Sequence, residues 1–249
     1  MKPNNGIALL SIDNIKTFED KTLHELYVPN GELVAQQTKT IINICQNNNL
    51  LIINVFESHP NGHISFASSY KDKQPFDMIS YDEIQHRTNE KNRLSDTAAF
   101  GVDQLKSYLQ SRRNQTDTLR PDHARSETNS HELMPPLTPE LFDIHISKGH
   151  QVDKHPYGGF GGTDLNDVLR KHRIHSLIIT GVATDYCIQD TVLEALAQQY
   201  KTYLITDAIA SISPEQGNIV QYNLQQQGAI LITSQELEAL LSSYNSNIS

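Results

Sequence analysis

Short apolar runs rich in β-branched residues recur along the chain, separated by amphipathic stretches. Six stand out: Ile7–Asp13, Leu50–Phe56, Phe142–Ser147, Ser176–Gly181, Thr202–Asp207 and Ala229–Thr233. They show little alternation, which is the pattern of strands covered on both faces. Between them Leu33–Asn47, Asp164–His172, Cys187–Gln199 and Pro214–Gln227 carry helical spacing, and Gln235–Ser242 follows the last run. Gly228 stands just past one helix end, where a left-handed residue often closes the last turn. The alternation predicts an α/β fold, a doubly wound parallel six-stranded sheet with helices on both faces.

One stretch breaks the rhythm. From Tyr70 to Leu119 the chain is polar and charged, with a single helix-like piece at Gln104–Arg113. A structureless loop of that length is unexpected in a compact domain. It reads as a partly helical insertion at about 70–119, leaving after the second strand of a single 1–249 domain. Ser243–Ser249 reads as a frayed end.

Composition narrows the function. The chain has 249 residues, with 20 Lys and Arg against 29 Asp and Glu, a net charge of −9. Phosphate backbones need clustered cations, so no nucleic acid is expected as a partner. No run approaches the roughly 20 apolar residues of a membrane span, and no apolar signal core opens the chain. A cytoplasmic protein with a small-molecule partner is the expectation, and a homo-oligomer stays open. The two cysteines, Cys45 and Cys187, are too few for a disulfide framework.

In open parallel sheets, ligands bind beyond the carboxyl ends of the strands. Asp13 ends the first predicted strand, Glu57 and His59 follow the second, Lys148 follows the third, and Cys187 comes six residues after Gly181. These would converge on one rim as a nucleophile, a candidate base and a fixed positive charge. Cys187 lies where strand turns to helix in GVATDYCIQDT, and the N–H groups of a helix start favour a thiolate and can hold an oxyanion. Cys45 falls on the apolar stripe of TIINICQNNN and reads as core. Imidazole and carboxylate groups suit zinc, iron or manganese. Glu57 and His59 are two such ligands, and His123 or Asp122 of RPDHA could be a third. The remaining histidines, His155 among them, show no such pairing and read as surface or core residues.

These segments resemble the nicotinamidases within the isochorismatase-like cysteine hydrolases. ALLSIDNIKTF is similar to the family's opening strand, FESHPNGHISFAS to its metal segment, ISKG to the stretch that carries its lysine, and GVATDYCIQDT to its nucleophile segment. The resemblance implies the isochorismatase-like hydrolase fold and Asp13, Lys148 and Cys187 as catalytic residues. It also implies a cis peptide at Val182–Ala183 and an oxyanion hole from the Ala183 and Cys187 amides. Phe18, Tyr186 and Arg120 would line the substrate, and Glu57, His59 and His123 would hold one divalent metal ion, zinc first, with iron or manganese as alternatives.

Three departures from the family pattern stand out. Glu57 occupies a position that is usually Asp, one methylene shorter. Arg120 occupies the position of a Trp that flanks the substrate ring, and Ala124 that of a Cys. The expected activity is metal-assisted hydrolysis of nicotinamide to nicotinate and ammonia. The alternatives are a metal-independent amidase acting on a carbamoyl or ureido substrate, or a binding protein on this scaffold. Arg120 is expected to turn outward, because an unpaired guanidinium beside a neutral ring costs desolvation. Phe76, Tyr81 or Phe100 of the insertion would then cover the pocket.

Overall fold

The computed structural model describes residues 5–19, 25–85, 93–155 and 157–246. Strands β1 (Ile7–Ile12) and β2 (Leu51–Glu57) flank helix α1 (Gly31–Asn47). The insertion follows as β3 (Met78–Ser80), α2 (Tyr81–Gln85), α3 (Val102–Ser111) and β4 (Thr116–Thr118). The main sheet resumes with β5 (Ile144–Lys148), α4 (Leu165–Lys171), β6 (Ser176–Val182), α5 (Gln189–Ala197), β7 (Lys201–Ala210), α6 (Pro214–Gln226), β8 (Ile230–Ile232) and α7 (Ser234–Ser246). All six predicted strands and their helices are present. The last helix runs through Ser246, past the expected fraying point, because Leu237 and Leu241 anchor it on the sheet. His24, His86 and residues 247–249 lie outside the described residues.

The six-stranded sheet has the order β5-β2-β1-β6-β7-β8, with every pair parallel. Two cores cover it. Leu10, Ile12, Ile53 and Val55 face Leu165, Leu169, Val192 and Leu224 on one side. Leu9, Ile52 and Ile178 face Ile41, Ile42, Cys45 and Leu241 on the other. Burial on both faces is why the strands read as unbroken apolar runs. The chain leaves β1 toward β2 on one side and returns to it with β6 on the other. That reversal opens a crevice at the carboxyl ends of β1 and β6, where such sheets bind ligands. Gly181 allows the close approach there: its φ is 122°, and a Cβ would sit 1.9 Å from the Ile12 carbonyl oxygen.

The insertion carries its own small apolar cluster, with Ile64, Tyr70, Ile79, Phe100, Leu105, Leu109 and Leu119 packed together. Its two ends are joined: Arg120 N donates to Ser65 O and Ala67 N to Arg120 O, both at 2.8 Å.

Candidate active site

Four strand ends supply the reactive groups. Asp13 follows β1 in the left-handed region, φ 51°, a conformation Asp tolerates better than most residues. Its N–H donates to Val55 O, and its Oδ1 accepts from Glu57 N, both at 2.8 Å. Lys148 ends β5 in register with Glu57 at the end of β2. Its Nζ lies 2.9 Å from Asp13 Oδ2, 2.8 Å from Glu57 Oε1 and 3.4 Å from Cys187 Sγ. All of these groups are buried.

Cys187 sits in a π turn, Thr184–Ile188, wedged between β6 and α5, and a cis peptide joins Val182 to Ala183. Helix α5 therefore starts at Gln189, two residues later than the sequence pattern suggests. Burial pushes the Cys187 thiol well up, and the Glu57 and Asp13 carboxylates add to this against the pull of Lys148. This burial and these carboxylates favour the thiol, against the thiolate that a helix start favours. Burial pushes Asp13 up from 3.8 to about 6, opposed by Lys148 and reinforced by Glu57. Burial works against the Lys148 charge, but Asp13, Cys187 and Glu57 hold it protonated. The centre is a thiol beside a carboxylate and a fixed ammonium. Cys45 is core, with its thiol raised to about 12 by burial.

Glu57, His59 and His123 meet on the side of Glu57 away from Lys148. Glu57 Oε2 is 3.5 Å from His59 Nε2 and 3.3 Å from His123 Nε2. His59 Nδ1 faces Gly149 O and His123 Nδ1 faces Pro121 O, each at 2.9 Å. A carbonyl accepts only, so both Nδ1 atoms carry hydrogen and, in the neutral rings, both Nε2 atoms present lone pairs. Burial holds His59 below its usual value, hence neutral. Its Nε2 has no hydrogen-bond partner. Two nitrogen lone pairs aimed at a carboxylate repel unless a cation lies between them, so the three side chains fit a divalent metal. Gly149 makes room for the ring, since a Cβ there would lie 2.4 Å from His59 Cε1. Asp122 instead accepts from Ser68 Oγ at 2.5 Å. His63 has both nitrogens committed, Nδ1 to Ser65 Oγ and Nε2 to the Gln151 and Lys154 carbonyls.

A small cavity opens at the sulfur. Phe18, Arg120 and Tyr186 line it as expected, together with Glu57, His123, Ala183 and Cys187. Two expectations fail here. Arg120 turns inward and is buried, because Thr118 O and Tyr157 Oη accept from its guanidinium at 2.8 and 3.2 Å and the Tyr186 ring lies beneath it, 4.7 Å away. None of the insertion's aromatics covers the cavity. Phe100 and Tyr81 pack into the insertion's own cluster, and Phe76 is 58% exposed.

His155 and Tyr157 line the cavity instead, with Leu26 and Ile212. The His155 ring lies 5.1 Å from that of His59 and 4.4 Å from that of Tyr157. His155 thus belongs to the site wall, and its reading as an ordinary core or surface residue is corrected. Its segment, HPYGGFGG, offered the signal: a histidine and a tyrosine between the lysine and a glycine-rich turn. A wider cleft between α3 and residues 149–155 shares only His155 with the catalytic cavity and holds none of the reactive groups.

Residues 8–236 match the Isochorismatase domain. The chain belongs to the isochorismatase family. Among relatives of this isochorismatase-family hydrolase, the nicotinamidase of Saccharomyces cerevisiae is 28% identical over 214 residues, covering 82% of this chain and 88% of that protein. The nicotinamidase of Escherichia coli is 28% identical over 221 residues, covering 86% and 89%. The Pyrococcus horikoshii pyrazinamidase, solved in complex with zinc, superposes with a TM-score of 0.67 at 25% identity, covering 92% of this chain and 99% of its own.

Proposed function

We propose that this protein hydrolyses nicotinamide to nicotinate and ammonia through a thioester on Cys187. It is a hydrolase acting on an amide, and nicotinamide-like compounds are its substrate class. The observation that carries the reading is the convergence of Asp13, Lys148 and Cys187 from three strand ends on one buried cavity. Asp13 takes the Sγ proton, and the sulfur attacks the carboxamide carbon. The carbonyl electron pair moves to oxygen, which the Ala183 and Cys187 amides hold. Asp13 passes its proton to the departing nitrogen, the C–N bond breaks and ammonia leaves. Asp13 then takes a proton from the water that cleaves the thioester and passes it to the departing sulfur, which restores the thiol, and the freed acid ionises to nicotinate. Lys148 keeps Asp13 ionised at neutral pH and fixes its position.

Glu57, His59 and His123 would hold one divalent cation, zinc first by its ligand set, with iron or manganese as alternatives. When bound, that ion supplies Lewis acidity toward a ring nitrogen or water. Phe18, Tyr186 and Arg120 enclose the ring. Nicotinate as product fits a role in pyridine nucleotide salvage. The test is ammonia release from nicotinamide by the purified protein, with and without chelator, beside the Cys187→Ala variant. Absence of turnover in the metal-loaded wild type would overturn the reading.

A further inference from the structure

Arg120 is a buried cation in the catalytic cavity that no carboxylate side chain pairs directly. It is 3% exposed. Among the described residues, no carboxylate oxygen lies within 4.0 Å of its nitrogens. Glu57 shares the cavity, but its oxygens face Lys148, His59 and His123. Asp117 is one side chain removed, accepting from Tyr157 Oη at 3.0 Å while Tyr157 Oη accepts from Arg120. Of the five N–H donors of a guanidinium, Arg120 spends one on Thr118 O and one on Tyr157 Oη. Three remain.

The side chain is also held still. The Thr118 carbonyl, the Tyr157 hydroxyl and the Tyr186 ring fix the guanidinium plane, so little freedom is lost when a ligand binds it. A planar fork with spare donors matches a carboxylate bidentately. Buried charges are generally paired, and the cavity is where a partner can come from.

We propose that Arg120 gives the site a second substrate class: carboxamides whose far end carries a carboxylate, the monoamides of small dicarboxylic acids. This rests on amide hydrolysis by Cys187 but not on nicotinamide being a substrate. The amide carbon faces Cys187 and the carboxylate pairs with Arg120. The chemistry is unchanged: succinamate and water give succinate and ammonium. The charge on the substrate selects it, and Arg120 is the specificity-determining residue.

The experiment compares succinamate with succinamide, its uncharged isostere, and with nicotinamide, by ammonia release from the metal-loaded full chain. In the wild type, kcat/KM for succinamate should exceed that for succinamide by about 100-fold, in the range found when one partner of a buried charge pair is lost. Arg120→Met should remove that preference while keeping the wild-type circular dichroism spectrum and cooperative melting transition, which report that the chain is folded. Arg120→Lys, which keeps the charge but loses the fork, should restore part of it. Equal turnover of succinamate and succinamide, or turnover of neither, would overturn the proposal even with nicotinamide hydrolysed. Preferential turnover of succinamate with nicotinamide left intact would uphold it and sink the nicotinamide reading instead. The wild-type comparison needs no variant to fold.

Discussion

Glu57 Oε1 lies 3.5 Å from Cys187 Sγ. The same carboxylate faces two histidines through its other oxygen, so one side chain bridges the candidate metal cluster and the nucleophile. The extra methylene relative to aspartate lengthens the side chain enough to serve both. Shortening it by Glu57→Asp should loosen the contacts to Lys148 and Cys187 and bring the carboxylate to the distance usual in the family. We expect tighter zinc binding by calorimetric titration; weaker binding would mean that the loop has already adapted to the longer side chain.

Cys187→Ala should abolish ammonia release, because no other thiol reaches the cavity. Cys45→Ala should keep activity near wild type and lower the melting temperature slightly, since it removes a buried sulfur from the α1 core. Equal loss of activity in two folded variants would refute the assignment of the nucleophile.

Lys148 is the ammonium between two buried carboxylates. Lys148→Met leaves Asp13 and Glu57 facing each other without compensation. Breaking a buried pair in this way typically costs about 3–5 kcal/mol. Urea unfolding should show a loss of that order, with turnover gone. A variant as stable as wild type would mean that the carboxylates share a proton instead.

The acid limb of activity should follow Asp13. With its carboxyl pushed up to about 6, kcat/KM should rise as pH increases through that value, because the base must be ionised to take the thiol proton. The stability effect has the opposite sign. A raised carboxyl binds its proton more tightly in the native state, so its contribution is fully present below 3.8 and lost as pH climbs through about 6. Glu57, held well below its usual range by Lys148 despite burial, contributes above 4.5 and loses that contribution on acidification. Urea midpoints of wild type and Asp13→Asn between pH 4 and 7 isolate the first effect. The wild type should lose ground to the variant as pH rises.

Metal content distinguishes the histidines. His59→Ala and His123→Ala should each strip zinc by more than the 10–100-fold that supporting residues cost. His63→Ala should leave the zinc stoichiometry at wild type and loosen residues 151–154, whose carbonyls it holds. Elemental analysis after dialysis provides the measurement, and loss of zinc from the His63 variant would place that ring among the ligands.

Much of this was legible in the chain. Strands buried on both faces advertise themselves as unbroken apolar runs, and the residues closing them fall at one end of a parallel sheet by geometry alone. Asp13, Glu57, Lys148 and Cys187 could be found that way. The side chains of the cavity wall could not. Arg120 turns inward because Tyr157, Tyr186 and a carbonyl from β4 receive it, and these lie 37, 66 and 2 positions away. His155 is in the wall because the 149–155 segment folds back over His59, a long-range contact with no period to reveal it. The insertion's aromatics looked like a lid because they are apolar in a polar stretch. They were needed for the insertion's own small core.

That core has a consequence for how this chain tolerates change. The Ser65, Ala67 and Arg120 backbones are tied to one another, so everything between them is an excursion that leaves and returns through a fixed doorway. Closing a longer or shorter excursion costs only a logarithm of its length. The doorway, not the excursion, sets the spacing between His59 and His123. Segments of quite different size could be spliced in between Tyr70 and Arg112 without moving the two histidines, so long as Arg112, Asp117 and Thr118 stay to reach His155, Tyr157 and Arg120.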